Sequence, residues 1–188
     1  MQKREQPLCG IDEAGRGCIA GALVIAGVVL TEGVDGLTDS KQLSEREREA
    51  LYPEIIAKSR HHIVTFSAVQ VDELGISKCL RQGLLEIQKY LEGCRYLFDG
   101  NSTFAVSGLE TMVKADAKIP EVSAASILAK VTRDRLIVEA SDHYPQYGFE
   151  KHKGYGTKAH IEAIVTHGRC EEHRHSFRIK AIDEPTLF

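Results

Sequence analysis

The sequence has no tryptophan and only 5 prolines in 188 residues. No Pro-rich linker, internal repeat or low-complexity stretch divides it. The length therefore suits one domain, or one domain with a small appendage. The opening MQKREQPLCG lacks the apolar segment and small-residue cleavage site of a secretory signal. Residues 18–30 are mostly apolar, but too short and too glycine-broken to span a bilayer. A cytoplasmic protein with no membrane partner is expected. Five cysteines (9, 18, 79, 94 and 170) form no CxxC and leave one unpaired, as buried reduced thiols do. Several nucleotide and hydrolase signatures are missing too. Gly15, Gly17 and Gly21 give GxGxxxG, not GxGxxG, and β-branched chain follows instead of a helix. There is no GxxxxGK[ST] and no GxSxG.

Nor is there a strong excess of one charge: the net value is −3. The distribution is uneven, however. Residues 151–180 carry seven Lys or Arg against three Glu, with five His. Residues 114–135 carry five basic against three acidic groups, and residues 39–54 reverse the balance, three to five. A basic C-terminal half on an acidic average suits a local anionic partner such as a phosphate backbone.

Periodicity and turn chemistry give a coarse map. Leu8 to Ala14 reads as a strand, Gly15-Arg16-Gly17 as a tight turn, and Cys18 to Leu30 as a second buried strand. Ser44 and Glu47 have capping-box spacing, which starts a helix running to about Ser59. His62 to Val71 alternates like a strand, and Ile76 to Leu91 has helical spacing. RYLFD, residues 95–99, is a short buried strand, and strand is possible within Phe104 to Lys114. Pro120 opens a long helix to about His143, and Thr157 to His167 forms another. The last fifteen residues read as irregular or short helix. The sum is an α/β domain, a mixed sheet flanked by helices. Residues from about 145 onward form a helical appendage within a single domain of residues 1–188.

Within this map four acids sit where such sheets place their chemistry. Asp12 and Glu13 are adjacent near a strand end, Asp99 terminates a strand, and Asp116 lies four residues before Pro120. Neighbours in a regular strand point to opposite faces, so Asp12 and Glu13 share a site only near a strand end or distortion. Clustered carboxylates repel unless a cation intervenes. Oxygen-only ligation favours Mg²⁺ or Mn²⁺. Two such ions about 4 Å apart stabilise both attacking and leaving oxygens in phosphodiester hydrolysis. Cys170, His173 and His175 give CxxHxH, a zinc pattern without an evident fourth ligand.

GIDEAGRG (10–17), DSKQLS (39–44), FDGN (98–101), KADAKIPEVSAASILAKVTRDR (114–135), HKGYGT (152–157) and HRHSF (173–177) occur in this order along the whole chain. Together they resemble the ribonuclease HII family, the bacterial type 2 ribonucleases H. The resemblance implies a ribonuclease H-like five-stranded mixed sheet with helices and a C-terminal helical region. It implies a metal-dependent endonuclease that cleaves the RNA of RNA–DNA hybrids. It also implies incision 5′ of single ribonucleotides embedded in duplex DNA, leaving a 3′-hydroxyl and a 5′-phosphate. Such an enzyme removes misincorporated ribonucleotides and RNA primers in replication and repair. Asp12, Glu13, Asp99 and Asp116 become the catalytic carboxylates and the ligands of two Mg²⁺ or Mn²⁺ ions.

By the same resemblance, Gly15, Arg16 and Gly17 read the 2′-hydroxyl and a neighbouring phosphate. Only that hydroxyl separates RNA from DNA at one sugar, and glycine lets a backbone come close. Tyr155 stacks on the following deoxyribose. Lys41, Lys130, Lys153 and Arg174 are expected phosphate contacts, and Asp134 orients a basic neighbour instead of binding metal. Cys18 and Ala22 stand where the family often has proline, which leaves the loop less stiff. A monomer is expected, and recruitment by a replication clamp is left open. Two alternatives remain: a related hybrid nuclease or junction resolvase without single-ribonucleotide incision, and a silent hybrid-binding protein. The silent binder should have lost an acid, yet all four are present.

Overall fold

The computed structural model describes residues 6–38 and 40–184. Asp39, the first residue of the DSKQLS motif, lies outside the described residues, as do residues 1–5 and 185–188. The strands are β1 (Leu8–Ala14), β2 (Leu23–Leu30), β3 (Ser59–Phe66), β4 (Arg95–Asp99) and β5 (Leu109–Met112). The helices are α1 (Glu45–Ala57), α2 (Ala68–Leu74), α3 (Ile76–Tyr90), α4 (Pro120–His143), α5 (Phe149–His152), α6 (Lys158–His167) and α7 (Lys180–Asp183). Short 3₁₀ turns occupy Ala115–Ala117 and Pro145–Tyr147.

The five strands form one mixed sheet in the order β3-β2-β1-β4-β5. β1, β2 and β3 are antiparallel neighbours, whereas β4 and β5 run parallel to β1. β2 is apolar at nearly every position because both of its faces are covered. Leu23 and Ile25 join Leu80, Leu84 and Ile87 of α3 on one side. Val24, Ala26 and Val28 join Ala124, Ile127 and Leu128 of α4, with Ile55 of α1, on the other. The period of two thus separates two cores.

α4 is buried on most of its circumference. It lies between the sheet, α1 and the C-terminal region, which is why its apolar residues show no single stripe. Its alanines permit close approach. A Cβ at Gly10 of β1 would lie 2.3 Å from the Glu121 and Val122 backbone, so the first turn of α4 crosses the sheet there. Residues 145–184 wrap the distal half of α4, where Tyr147, Phe149, Ile164 and Ile179 pack with Ile137, Ala140 and Ala20. Among the described residues no helix is long and apolar enough to cross a membrane.

Three sequence expectations need correction. The second strand starts at Leu23, not Cys18. The backbone of residues 19–21 bonds instead to the C-terminal region: Ile19 and Ala20 donate to the Gly154 carbonyl, and Gly21 donates to that of Glu172. The strand expected at 62–71 spans Ser59–Phe66 and stops at Ser67. There Ser67 and Gln70 form a capping box that opens α2. Of the possible strand within Phe104 to Lys114, only Leu109–Met112 forms one, as β5, while Phe104 lies in a turn. The predicted start of α1 at Ser44, the strand at 95–99 and the helix from Pro120 to His143 match the structure.

Candidate active site

Parallel pairing builds the site. The register sets Ile11 beside Phe98, so the next residues, Asp12 and Asp99, come side by side at the strand ends. Asp116 arrives from the 3₁₀ turn that leads into α4, and the Ala115 amide donates to Asp99 Oδ1 at 3.3 Å. One carboxylate oxygen from each of Asp12, Asp99 and Asp116 lies within 4.8 Å of the others. Among the described residues this is the only such group of three. Glu13 follows Ile11 onto the other side of β1. It stays outside the close trio but lines the same cavity of about 360 Å³ with Asp12 and Asp99.

The electrostatics are unfavourable without a cation. Burial, and then the Glu13 charge, raise the Asp12 pKa well above the ordinary carboxylate value; a hydrogen bond with Ser126 partly offsets this. Burial also raises Glu13, against the lowering effect of Arg16. Glu13 Oε2 is buried with no hydrogen-bond partner. Buried carboxylates with an unsatisfied oxygen and an all-oxygen donor set fit a hard divalent cation. Asp12, Asp99 and Asp116 are placed to hold such an ion, with Glu13 at its flank.

Polar groups from the 39–44 and 114–135 motifs complete the wall. Ser40 and Ser126 hydroxyls lie 2.7 Å apart, behind Asp12. Arg48 donates to the Ser40 and Leu43 carbonyls, and Ser123 Oγ to that of Thr38, which ties Thr38 and residues 40–43 to α1 and α4. This tether brings Lys41 Nζ to 3.5 Å from Asp116 Oδ2.

The Gly15-Arg16-Gly17 turn forms the rim. Gly15 has φ +93°, and a Cβ there would lie 2.5 Å from the Ala22 carbonyl oxygen and 2.6 Å from Arg133 Nε. The fold therefore demands glycine at 15. A Cβ at Gly17 would meet nothing within 4 Å, so the space beside it is open. Arg16 Nη1 lies 3.6 Å from Glu13 Oε1.

Arg174 departs from its expected place among the phosphate contacts. It is only 1% exposed, beneath the turn. Its Nη1 donates to the Gly15 and Cys18 carbonyls at 2.7 and 3.0 Å, while Nε and Nη2 donate to that of Gly21 at 3.0 and 2.9 Å. Burial pushes its pKa down to about 10. With its donors committed to carbonyls, it has a structural position and not a surface one. Arg133 is equally buried and donates to the Ala20 carbonyl.

Tyr155 also lines the cavity and is 46% exposed, with Lys130 Nζ and Arg133 Cζ 5.6 and 5.7 Å from its ring centroid. It is fixed relative to the turn because Gly154, beside it, accepts from Ile19 and Ala20. Lys130 lines the cavity, and its ammonium pairs with Asp134 at 2.9 Å. Asp134 also faces Arg133. Lys153 turns to Glu45 and the Glu150 carbonyl. Cys18 is fully buried and its thiol pKa is raised by burial, which makes it a poor nucleophile. Cys170 and His173 meet, with Sγ 3.1 Å from Nδ1, but with His175 they form no metal-ligand group among the described residues. His173 turns one nitrogen to Cys170 and the other to His160.

Comparison with known proteins gives this geometry its context. The ribonuclease HII family model matches residues 9–180. Ribonuclease HII of Sulfurovum sp. (strain NBC37-1) is 66% identical over 188 residues, covering 100% of both chains. That of Aliarcobacter butzleri is 57% identical over 179 residues, 94% of this chain and 93% of the relative. Among solved structures, the PCNA:RNase HII complex from Archaeoglobus fulgidus superposes with TM-score 0.80 at 29% identity, over 92% of this chain and 96% of that one. The chain belongs to the ribonuclease HII family and is a metal-dependent ribonuclease H, an endonuclease acting on RNA–DNA.

Proposed function

We propose that this protein incises duplex DNA on the 5′ side of a single embedded ribonucleotide, as well as cutting the RNA strand of continuous hybrids. The products are a 3′-hydroxyl and a 5′-phosphate. Two divalent ions, Mg²⁺ or Mn²⁺, are held by Asp12, Glu13, Asp99 and Asp116. Bound there, they supply charge stabilisation for the attacking and leaving oxygens of the phosphodiester.

The protein's own groups orient the substrate. The open side of Gly17 accepts the ribose, so that backbone groups of the turn reach the 2′-hydroxyl. Arg16 meets the adjacent phosphate. The Tyr155 ring packs on the next sugar, where a second 2′-hydroxyl would collide. Lys41, Lys130 and Lys153 supply positive charge along the backbone. The biological consequence is removal of misincorporated ribonucleotides and RNA primers from DNA, by a monomer in the cytoplasm.

The observation that supports this reading best is Gly17. The fold does not need glycine there, yet the residue faces the carboxylate cavity with open space beside it. A labelled duplex with one ribonucleotide, set beside an all-DNA duplex and a continuous hybrid, tests the reading. The expected result is one cut 5′ of the ribonucleotide, with a 3′-hydroxyl that a polymerase extends. Hydrolysis of the hybrid alone would leave a plain hybrid nuclease.

A further inference from the structure

The loop that follows Asp99 contains an unusual backbone. Phe104 and Ala105 are consecutive non-glycine residues with left-handed φ values of 50° and 57°. L side chains disfavour that conformation, and it persists only where the surroundings enforce it. Here they do. Arg81 of α3 donates to the Phe104 carbonyl at 3.0 Å and also to that of Ala105. Ser102 Oγ accepts from the Phe104 amide, and Val106 is buried in the core. The Phe104 ring meets the edge of Phe98, with centroids 6.2 Å apart.

The enforced conformation has a specific result: the Phe104 ring lies under Arg16, whose Cζ is 5.7 Å from the ring centroid. Arg16 is half exposed, and its other fixed neighbour is Glu13. A long side chain in that position would otherwise lose rotamer freedom on binding. An aromatic face restricts the planar guanidinium beforehand while leaving its N–H groups free for a phosphate.

We propose that Phe104 is a positioning residue for substrate selection. Its ring holds the Arg16 guanidinium at the cavity rim, oriented toward the phosphate beside the ribonucleotide. This inference rests on the role given above to the Gly15–Gly17 turn. The sequence does not announce it, because a phenylalanine in GNSTFAVSG reads as an ordinary loop or strand residue.

The test is a double-mutant cycle. Phe104→Leu keeps apolar volume against Phe98 but removes the π face. It should raise KM on the single-ribonucleotide duplex about two- to fivefold, with a smaller effect on kcat. Phe104→Tyr should restore the wild-type KM. In an Arg16→Ala background, Phe104→Leu should add nothing. Equal effects of Phe104→Leu with and without Arg16, or a Tyr variant no better than Leu, would overturn the proposal. Melting temperatures of all variants separate packing loss from this coupling. Should wild type fail to incise the single ribonucleotide, the role of the turn falls. The same cycle on a continuous hybrid then decides about Phe104: coupling supports it and additivity sinks it.

Discussion

Arg174 Nη1 lies 2.7 Å from the Gly15 carbonyl oxygen, across 159 residues of sequence. The contact makes the HRHSF segment part of the rim of the active site. One guanidinium fastens four carbonyls of the 15–21 loop, those of Gly15, Arg16, Cys18 and Gly21. It thereby holds the loop in place by hydrogen bonds.

Arg174→Ala should therefore be costly. It leaves buried carbonyls without partners, at about 2–4 kcal/mol in total. For a protein of this size that corresponds to a fall in Tm of about 5–15 °C. Incision at a single ribonucleotide should fall more than hydrolysis of a long hybrid, because only the former depends on one well-placed turn. Thermal unfolding and initial rates on both substrates check this.

The two glycines of the turn should respond in opposite ways. Gly15→Ala collides with the Ala22 carbonyl and with Arg133, and imposes a strained φ. It should lower Tm by several degrees. Gly17→Ala meets no protein atom, so its Tm should stay within about 2 °C of wild type, as for a surface substitution. Its loss should appear in the KM for ribonucleotide-containing duplex. A Gly17→Ala protein with unchanged KM would remove Gly17 from substrate reading.

A relay of neutral histidines should make the C-terminal region acid-labile. Cys170 N–H donates to His173 Nδ1 at 2.8 Å. That leaves His173 Nε2–H to donate to His160 Nε2 at 3.1 Å, and His160 Nδ1–H to donate to the Tyr155 carbonyl at 2.8 Å. Every ring nitrogen is committed, so a further proton on either ring breaks a bond. Burial lowers both pKa values to about 4 from the ordinary 6.5. The unfolded chain takes up protons below about pH 6.5 that the native state refuses. Stability from this pair is full above pH 6.5 and is lost as pH falls toward 4. Denaturant unfolding across that window should show the decline, and a His160→Gln variant should flatten it.

Much of the carboxylate site was legible because strand-end acids and a helix-start acid carry local signals. Asp99 ends an apolar run, and Pro120 marks the start of α4 after Asp116. Arg174 was misread because a cation in a segment rich in His and Arg looks solvated. Its carbonyl partners belong to a loop that the local apolar pattern presented as strand. The failure at residues 18–22 has the same origin: their backbone bonds go to Gly154 and Glu172. α2 was missed although Ser67 and Gln70 carry a capping box, since the alternation of 63, 65, 67, 69 and 71 suggested a strand. Ser126 and Phe104 act through partners distant in sequence, which no local pattern encodes.

Calorimetric titration of Mn²⁺ into the protein tests most directly whether Asp12, Asp99 and Asp116 form a metal site. Wild type should bind the ion and gain melting temperature from it. Asp12→Asn should melt higher than wild type in chelator, because a buried charge beside Glu13 and Asp99 is removed. It should also lose the binding heat and the metal-dependent gain, and cleave at least about a hundredfold more slowly. Equal Mn²⁺ binding by wild type and Asp12→Asn would contradict the assignment of these carboxylates.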